Sequence, residues 1–128
     1  MGKEASVTMN TPCDFIEVIE YSGETCQVYK RDMTDTESIM ALAEIPENSV
    51  RWINIDGACP EATLTARGEA FRIHPLAIRN IYDSDQRAKV EEYRGFLHIV
   101  AKMLYFSNDE LVVEHMNFIL GPDYVITL

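Results

Sequence analysis

The chain has 128 residues, 47% of them apolar, with 21 acidic against 11 basic side chains and a formal net charge of −10. That is enough for one domain with a real core, and it argues against a disordered chain. A field of this sign repels phosphate backbones and anionic lipid, whose capture needs Lys and Arg, so nucleic acid is not the expected partner; the same field gathers divalent cations, or simply keeps the domain soluble.

Residues 1–13 are small and polar and read as a flexible leader ahead of a single domain over 14–128. Phe15–Tyr21 is β-rich and partly alternating, Ser22-Gly23 turns, and Thr25–Lys30 returns as the second strand of a hairpin. Thr34-Asp35-Thr36-Glu37 has capping-box spacing, with the Thr34 hydroxyl and the Glu37 carboxylate placed to satisfy each other's free backbone N–H groups. A short helix over 38–45 follows, with Ile39, Leu42 and Ala43 on one face, and Pro46 ends it. Val50–Ile55 is a compact apolar strand, closed by Asp56-Gly57.

Pro60 suits the first turn of a helix that runs to about Phe71 and buries Leu64 and Phe71. Pro75 opens a shorter helix, Leu76–Tyr82, which stops at the acidic turn Asp83-Ser84-Asp85. Lys89–Tyr93 reads as a strand and Arg94-Gly95 as a tight turn. Phe96–Phe106 and Leu111–Leu120 are long apolar strands joined by Ser107-Asn108-Asp109, and Gly121-Pro122-Asp123 turns into a last strand, Tyr124–Leu128. The near-continuous apolar run over 96–105 predicts a central strand buried on both faces.

These elements make seven strands and three helices. Hairpins at both ends exclude a purely parallel sheet, while helices between the second and fourth strands permit a parallel crossover. The expected class is α/β, with a mixed (parallel and antiparallel) seven-stranded sheet covered by helices.

Catalytic groupings are not evident. The sequence has no G-x-G-x-x-G, P-loop, G-x-S-x-G or H-E-x-x-H. Cys13, Cys26 and Cys59 are scattered without a C-x-x-C pair, which fits a reducing compartment better than a disulfide frame or a zinc knuckle. The N-terminus has no signal-peptide h-region, and no stretch nears the ~18–20 apolar residues of a membrane span. His98 and His115 fall on adjacent predicted strands and can approach diagonally on one face, but no third zinc ligand is evident. His74, before Pro75, sits where its ring can bond to free N–H groups at a helix start or pack on the core. Asp56 serves a turn or a cap of the next helix more readily than a functional site.

Three blocks carry a family resemblance: Trp52-Ile53-Asn54-Ile55-Asp56-Gly57, Phe71-Arg72-Ile73-His74-Pro75-Leu76-Ala77-Ile78, and Gln86-Arg87-Ala88-Lys89-Val90-Glu91. Tyr93, the strand Phe96–Met103 and the closing Phe118-Ile119-Leu120 and Tyr124-Val125-Ile126-Thr127 follow in order. The chain resembles the cytoplasmic N-terminal domain of CorA-type magnesium and cobalt transporters, closely over 50–128 and by general pattern over 14–49.

The resemblance implies a regulatory and assembly domain that couples cytosolic divalent-cation level to pore gating, without catalysis. It implies Mg²⁺, with Co²⁺ or Ni²⁺ as alternatives, as the transported or regulatory ion, and no organic cofactor. It places the full-length protein as a pentamer in the cell's inner membrane, this domain on the cytoplasmic face beside its own stalk and transmembrane helices. The isolated domain, lacking stalk and membrane helices, is expected to be a monomer or weak dimer. Members commonly read Leu-Glu-Asp-Ile where this chain has Ile78-Arg79-Asn80-Ile81, so an amide replaces the sensing carboxylate. The candidate regulatory cation ligands are therefore Asp83 and Asp85 in the following turn, with Asn80 offering a carbonyl oxygen; the other reading of the two aspartates is that they are simply solvated turn residues. Two other readings stand beside this one: a divergent zinc-type transporter of the same fold, and a stand-alone soluble binding protein.

Overall fold

A computed structural model describes residues 15–55 and 59–128. The leader expected over residues 1–13 and the Asp56-Gly57 turn lie outside the described residues. The strands are β1 (Phe15–Tyr21), β2 (Cys26–Asp32), β3 (Val50–Asn54), β4 (Lys89–Tyr93), β5 (Phe96–Ser107), β6 (Glu110–Leu120) and β7 (Tyr124–Thr127). The helices are α1 (Thr36–Met40), α2 (Glu61–Phe71) and α3 (Pro75–Ile81). The seven strands of the described residues form one sheet in the order β2-β1-β3-β7-β6-β5-β4. The β3–β7 pair is parallel and the other pairs are antiparallel, the mixed sheet expected from the sequence.

The register sets the core. Val18 pairs with Ile53, Ile53 with Ile126, Ile126 with Ile119, and Ile119 with His98, so one row of side chains crosses five strands on a single face. Each is at most 3% exposed. Ile39, Leu42, Leu64, Phe71, Ala77 and Ile78 from the helices join the same buried cluster. Burying each large aliphatic side chain of that row contributes about 1.5–3 kcal/mol. The opposite face carries the row Ile19, Trp52, Val125, Leu120 and Leu97. Trp52 is 39% and Leu120 43% exposed, so among the described residues the helices cover one face and leave this one open.

Local chemistry fixes the helix ends. The cap of α1 is Asp35, one residue later than the expected Thr34, and its side chain accepts from the Ser38 backbone N–H at 3.2 Å and from the Ser38 hydroxyl at 2.8 Å. The Thr34 N–H, which a capping box would give to Glu37, donates instead to Asp32 Oδ1 at 2.8 Å, and the Thr34 hydroxyl donates to the same oxygen at 2.7 Å. Helix α1 stops at Met40 and tightens into a 3₁₀ turn over Ala41–Ala43, shorter than the continuous helix expected. Pro60 holds the N-cap position of α2, just before the first turn expected for it. At the start of α3, Pro75 opens the first turn and His74 Nδ1 accepts from the Leu76 N–H at 3.0 Å, one of the two roles that its place before a proline allowed.

The two hydrogen-bonded aspartates predict an acid response. Donation from Ser38 holds the Asp35 carboxyl below the usual carboxylate value, and donation from Thr34 does the same for Asp32. Both pKa values are depressed in the folded chain, so the stability they contribute is present above the unfolded value of about 4 and is lost as pH falls through the folded values. Carboxyl-carbon NMR titration should find both groups titrating below the ordinary aspartate value. Asp35→Asn should remove its share of the acid response while leaving β1–β7 pairing intact; unshifted titrations would refute the capping account.

The expected burial of the long strand over residues 96–105 also fails. Strand β5 is not central and not buried on both faces: it lies second from the sheet edge. Only Phe96, His98 and Val100 on it are buried, in strict alternation, and residues 102–107 are exposed. β5 and β6 outrun their neighbours, because β4 pairs only with residues 96–100 and β7 only with 118–120. The distal half of the hairpin projects as a two-stranded arm, turning through Asn108 and Asp109 at φ 52° and 65°. A continuous apolar run does not distinguish two-sided burial from a ribbon that leaves the sheet.

Candidate functional site

The candidate cation ligands lie where α3 gives way to the acidic turn. Proline at N1 and the His74 cap start the helix, which puts Asn80 on its last turn. Asn80 Nδ2 donates inward to Tyr93 Oη at 3.2 Å and Glu91 Oε1 at 3.4 Å on β4. Those contacts leave only Oδ1 to offer elsewhere. Lys89 Nζ lies 3.0 Å from Glu91 Oε1, so Glu91 is already paired. Asp83 Oδ1 accepts from the Asp85 N–H at 2.9 Å, and Oδ2 receives Gln86 Nε2 at 3.5 Å, the geometry of an Asx turn. Asp85 and Arg79 are exposed. Asp83 and Asp85 therefore share one solvent-facing turn, while the Asn80 amide is turned toward the sheet. No group of three or more His, Cys, Asp or Glu side chains that could hold a metal occurs among the described residues. A hydrated Mg²⁺ needs only one or two carboxylates, which such a turn supplies.

The two strand histidines are not brought together. His98 pairs with Ile119 and His115 with Lys102, so they sit four residues apart in register, roughly 13 Å along the strands. His98 is wholly buried and its Nε2 bonds Asn117 Oδ1 at 2.9 Å, the diagonal neighbour on the same face.

Sequence reasoning missed the domain's main buried charge. Arg51 on β3 is 4% exposed; its Nε and Nη2 donate to Glu20 Oε2 at 2.9 and 2.7 Å, and Nη1 donates to Leu42 O at 2.7 Å. Tyr29 Oη also donates to Glu20 Oε2, at 3.1 Å, and burial raises its pKa. The network ties β1, β2, β3 and the 3₁₀ turn together. The available signal was an arginine inside the apolar Val50–Ile55 run, on the side of the strand opposite to Trp52.

Among the described residues no helix is long and apolar enough to cross a membrane. The family model of CorA-like Mg²⁺ transporter proteins matches residues 47–128. The Cobalt/magnesium transport protein CorA of Thermotoga maritima is 34% identical over 113 residues, which is 87% of this chain and 31% of that protein. The chain thus spans about a third of that relative. Among solved structures, the soluble domain of CorA from Methanocaldococcus jannaschii aligns over 86% of this chain and 39% of its own, with a TM-score of 0.56 and 16% identity. The complete CorA magnesium transporter of the same organism aligns over 86% of this chain and 31% of its own, with a TM-score of 0.58 and 19% identity. At those identities the structures establish the fold, and the sequence matches establish the kinship: this chain belongs to the CorA-like Mg²⁺ transporter family.

Proposed function

We propose that this chain is the cytoplasmic regulatory and assembly domain of a magnesium and cobalt transporter, passing cytosolic divalent-cation occupancy to a pore, and that it performs no catalysis itself. The observation that carries this reading is the 34% identity to the Thermotoga cobalt/magnesium transport protein across 87% of the chain. In this reading the domain sits at the inner face of the cell membrane, in a pentamer, and the open apolar row through Trp52 and Leu120 gives further polypeptide a surface to pack on. The regulatory Mg²⁺ is held by Asp83 and Asp85, with Asn80 Oδ1 as a neutral oxygen. Occupancy offsets the repulsion between acidic surfaces of neighbouring copies, so the ion biases the closed assembly.

A second reading, a divergent zinc-type transporter, is favoured by Arg79 and Asn80, which put a positive charge and an amide where members commonly carry two acids. Uptake of Mg²⁺, Co²⁺, Ni²⁺ and Zn²⁺ into vesicles holding the intact polypeptide separates the two. The first reading expects Mg²⁺ and Co²⁺ to be carried in preference to Zn²⁺; selective Zn²⁺ uptake would establish the second instead.

A further inference from the structure

Helix α3 is seven residues long, so each free N–H at its start counts toward keeping the first turn closed. Pro75 has no N–H to satisfy, and Ala77 and Ile78 both donate to His74 O, at 2.9 and 3.1 Å. Leu76 remains, and its N–H goes to His74 Nδ1 at 3.0 Å. That acceptor is a ring lone pair, which an imidazole has only while uncharged, because both nitrogens of the charged ring carry hydrogen. A proton on His74 therefore turns the cap from an acceptor into a donor that faces a donor. It also sets a positive charge against the positive end of the helix.

His74 is exposed, so a proton reaches it without any unfolding. The charged ring also has a place to rest. The Tyr93 ring on β4 lies 6.0 Å from it, tilted by 33°, at the edge of the range in which an aromatic face attracts a cation. Phe96, stacked on Tyr93 at 4.8 Å, holds that ring in position. The charged groups of the surrounding elements do not compete for His74. On β4, Glu91 is held by Lys89 at 3.0 Å. On α2 and its cap, Arg67 donates to Met33 O, Arg72 donates to Ala43 O, and Glu69 is exposed, as Arg79 is on α3 itself. Arg94 lines a groove with Pro122 and Tyr124 that His74 does not border. Among the described residues no acidic side chain forms an ion pair with the His74 ring.

The rest of α3 is anchored independently of its cap. Ala77 and Ile78 are at most 2% exposed, and Ile78 Cδ1 packs so closely on Gly68 of α2 that a Cβ there would stand 3.0 Å from it. At the far end, Asn80 Nδ2 donates to Tyr93 Oη at 3.2 Å, so one tyrosine of β4 meets both ends of the helix. We propose that His74 is a proton-operated cap, through which acid frees the first turn of α3 while the domain stays folded. The device needs no bound ion and stands whether or not the cation reading does; it adds a proton as an input to the helix that carries Asn80. Its range also differs from that of Asp32 and Asp35, since imidazole ordinarily changes charge between roughly pH 5 and 8 and carboxyls near about 4.

Amide hydrogen exchange of the 128-residue chain, resolved by NMR and expressed as protection relative to an unstructured amide, tests the proposal. Protection of the Leu76 N–H should fall about tenfold between about pH 7.5 and pH 5.5, the size of effect that losing a typical cap produces. The Ile119 amide in β6 should keep its protection over the same range. His74→Asn, whose side-chain oxygen accepts at either pH, should hold Leu76 protected throughout, and His74→Ala should leave it at the low level at both. His74 is exposed, so neither substitution threatens the fold, and the parent measurement needs none. Leu76 protection that does not change with pH overturns the proposal. So does an acid loss that persists in His74→Asn, because another group would then be responsible.

Discussion

Arg51→Ala is expected to destabilise the domain by about 3–5 kcal/mol, the loss typical of removing one partner from a buried ion pair. The Arg51 side chain is 5% exposed and that of Glu20 18% exposed, so the carboxylate left behind is largely cut off from water. Tyr29 Oη still donates to it. Leu42 O loses its guanidinium donor in the same step, which loosens the turn that closes α1 over the sheet. Small domains have about 5–15 kcal/mol of stability in total, so this one substitution takes a large part of the margin. Urea denaturation should show the midpoint falling steeply. Glu20→Gln, which keeps an acceptor for the guanidinium, should cost clearly less. A loss below about 1 kcal/mol for Arg51→Ala would mean that the network is solvated in solution.

Asn80→Asp should have the second-largest effect, and a cation-dependent one. The substitution removes the donor that now reaches Tyr93 and Glu91 and sets a second carboxylate beside Glu91 Oε1, where Nδ2 now stands at 3.4 Å. Lost hydrogen bonds and like-charge repulsion together predict about 1–3 kcal/mol of destabilisation at neutral pH. Two facing carboxylates also form a better Mg²⁺ site than an amide and a carboxylate do. Millimolar Mg²⁺ should therefore raise the melting temperature of Asn80→Asp more than that of the parent chain, since a ligand bound only to the folded state stabilises it by mass action. Asn80→Leu, which removes the donor without adding charge, should be destabilised without any Mg²⁺ rescue. Equal Mg²⁺ responses in all three chains would show that this helix end does not feel the ion.

Elements were more legible than their surroundings. The alternation in Phe15–Tyr21, the proline before Leu76 and the turn signals at Ser22-Gly23 and Gly121-Pro122 each act locally, and they placed strands and helices where the structure has them. Thr34 failed as the cap because Asp32, two residues upstream, competes for its donors, and spacing alone does not rank two local bonds. The length of β5 was legible but its burial was not, because the lengths of β4 and β7 decide how much of it has neighbours. The candidate site divides in the same way. Asp83-Ser84-Asp85 could be read as an acidic turn, yet the direction of the Asn80 amide depends on Glu91 and Tyr93, which reach it only through the sheet. The Arg51–Glu20 pair joins positions 31 residues apart and follows from the β1–β3 register, which the sequence does not display.

The proposed role, sensing a divalent cation and reporting it to a pore, is open to a direct test in a chimera. The direct test replaces the matching 113-residue stretch of the Thermotoga transporter with this chain and follows ion flux through the chimera in vesicles as Mg²⁺ is varied on the side the domain faces. Flux should fall as that Mg²⁺ rises into the millimolar range, and the double substitution Asp83→Asn with Asp85→Asn should move the response to higher Mg²⁺. A flux that stays the same at every Mg²⁺ level, with an unchanged Thermotoga parent responding in parallel, would contradict the account.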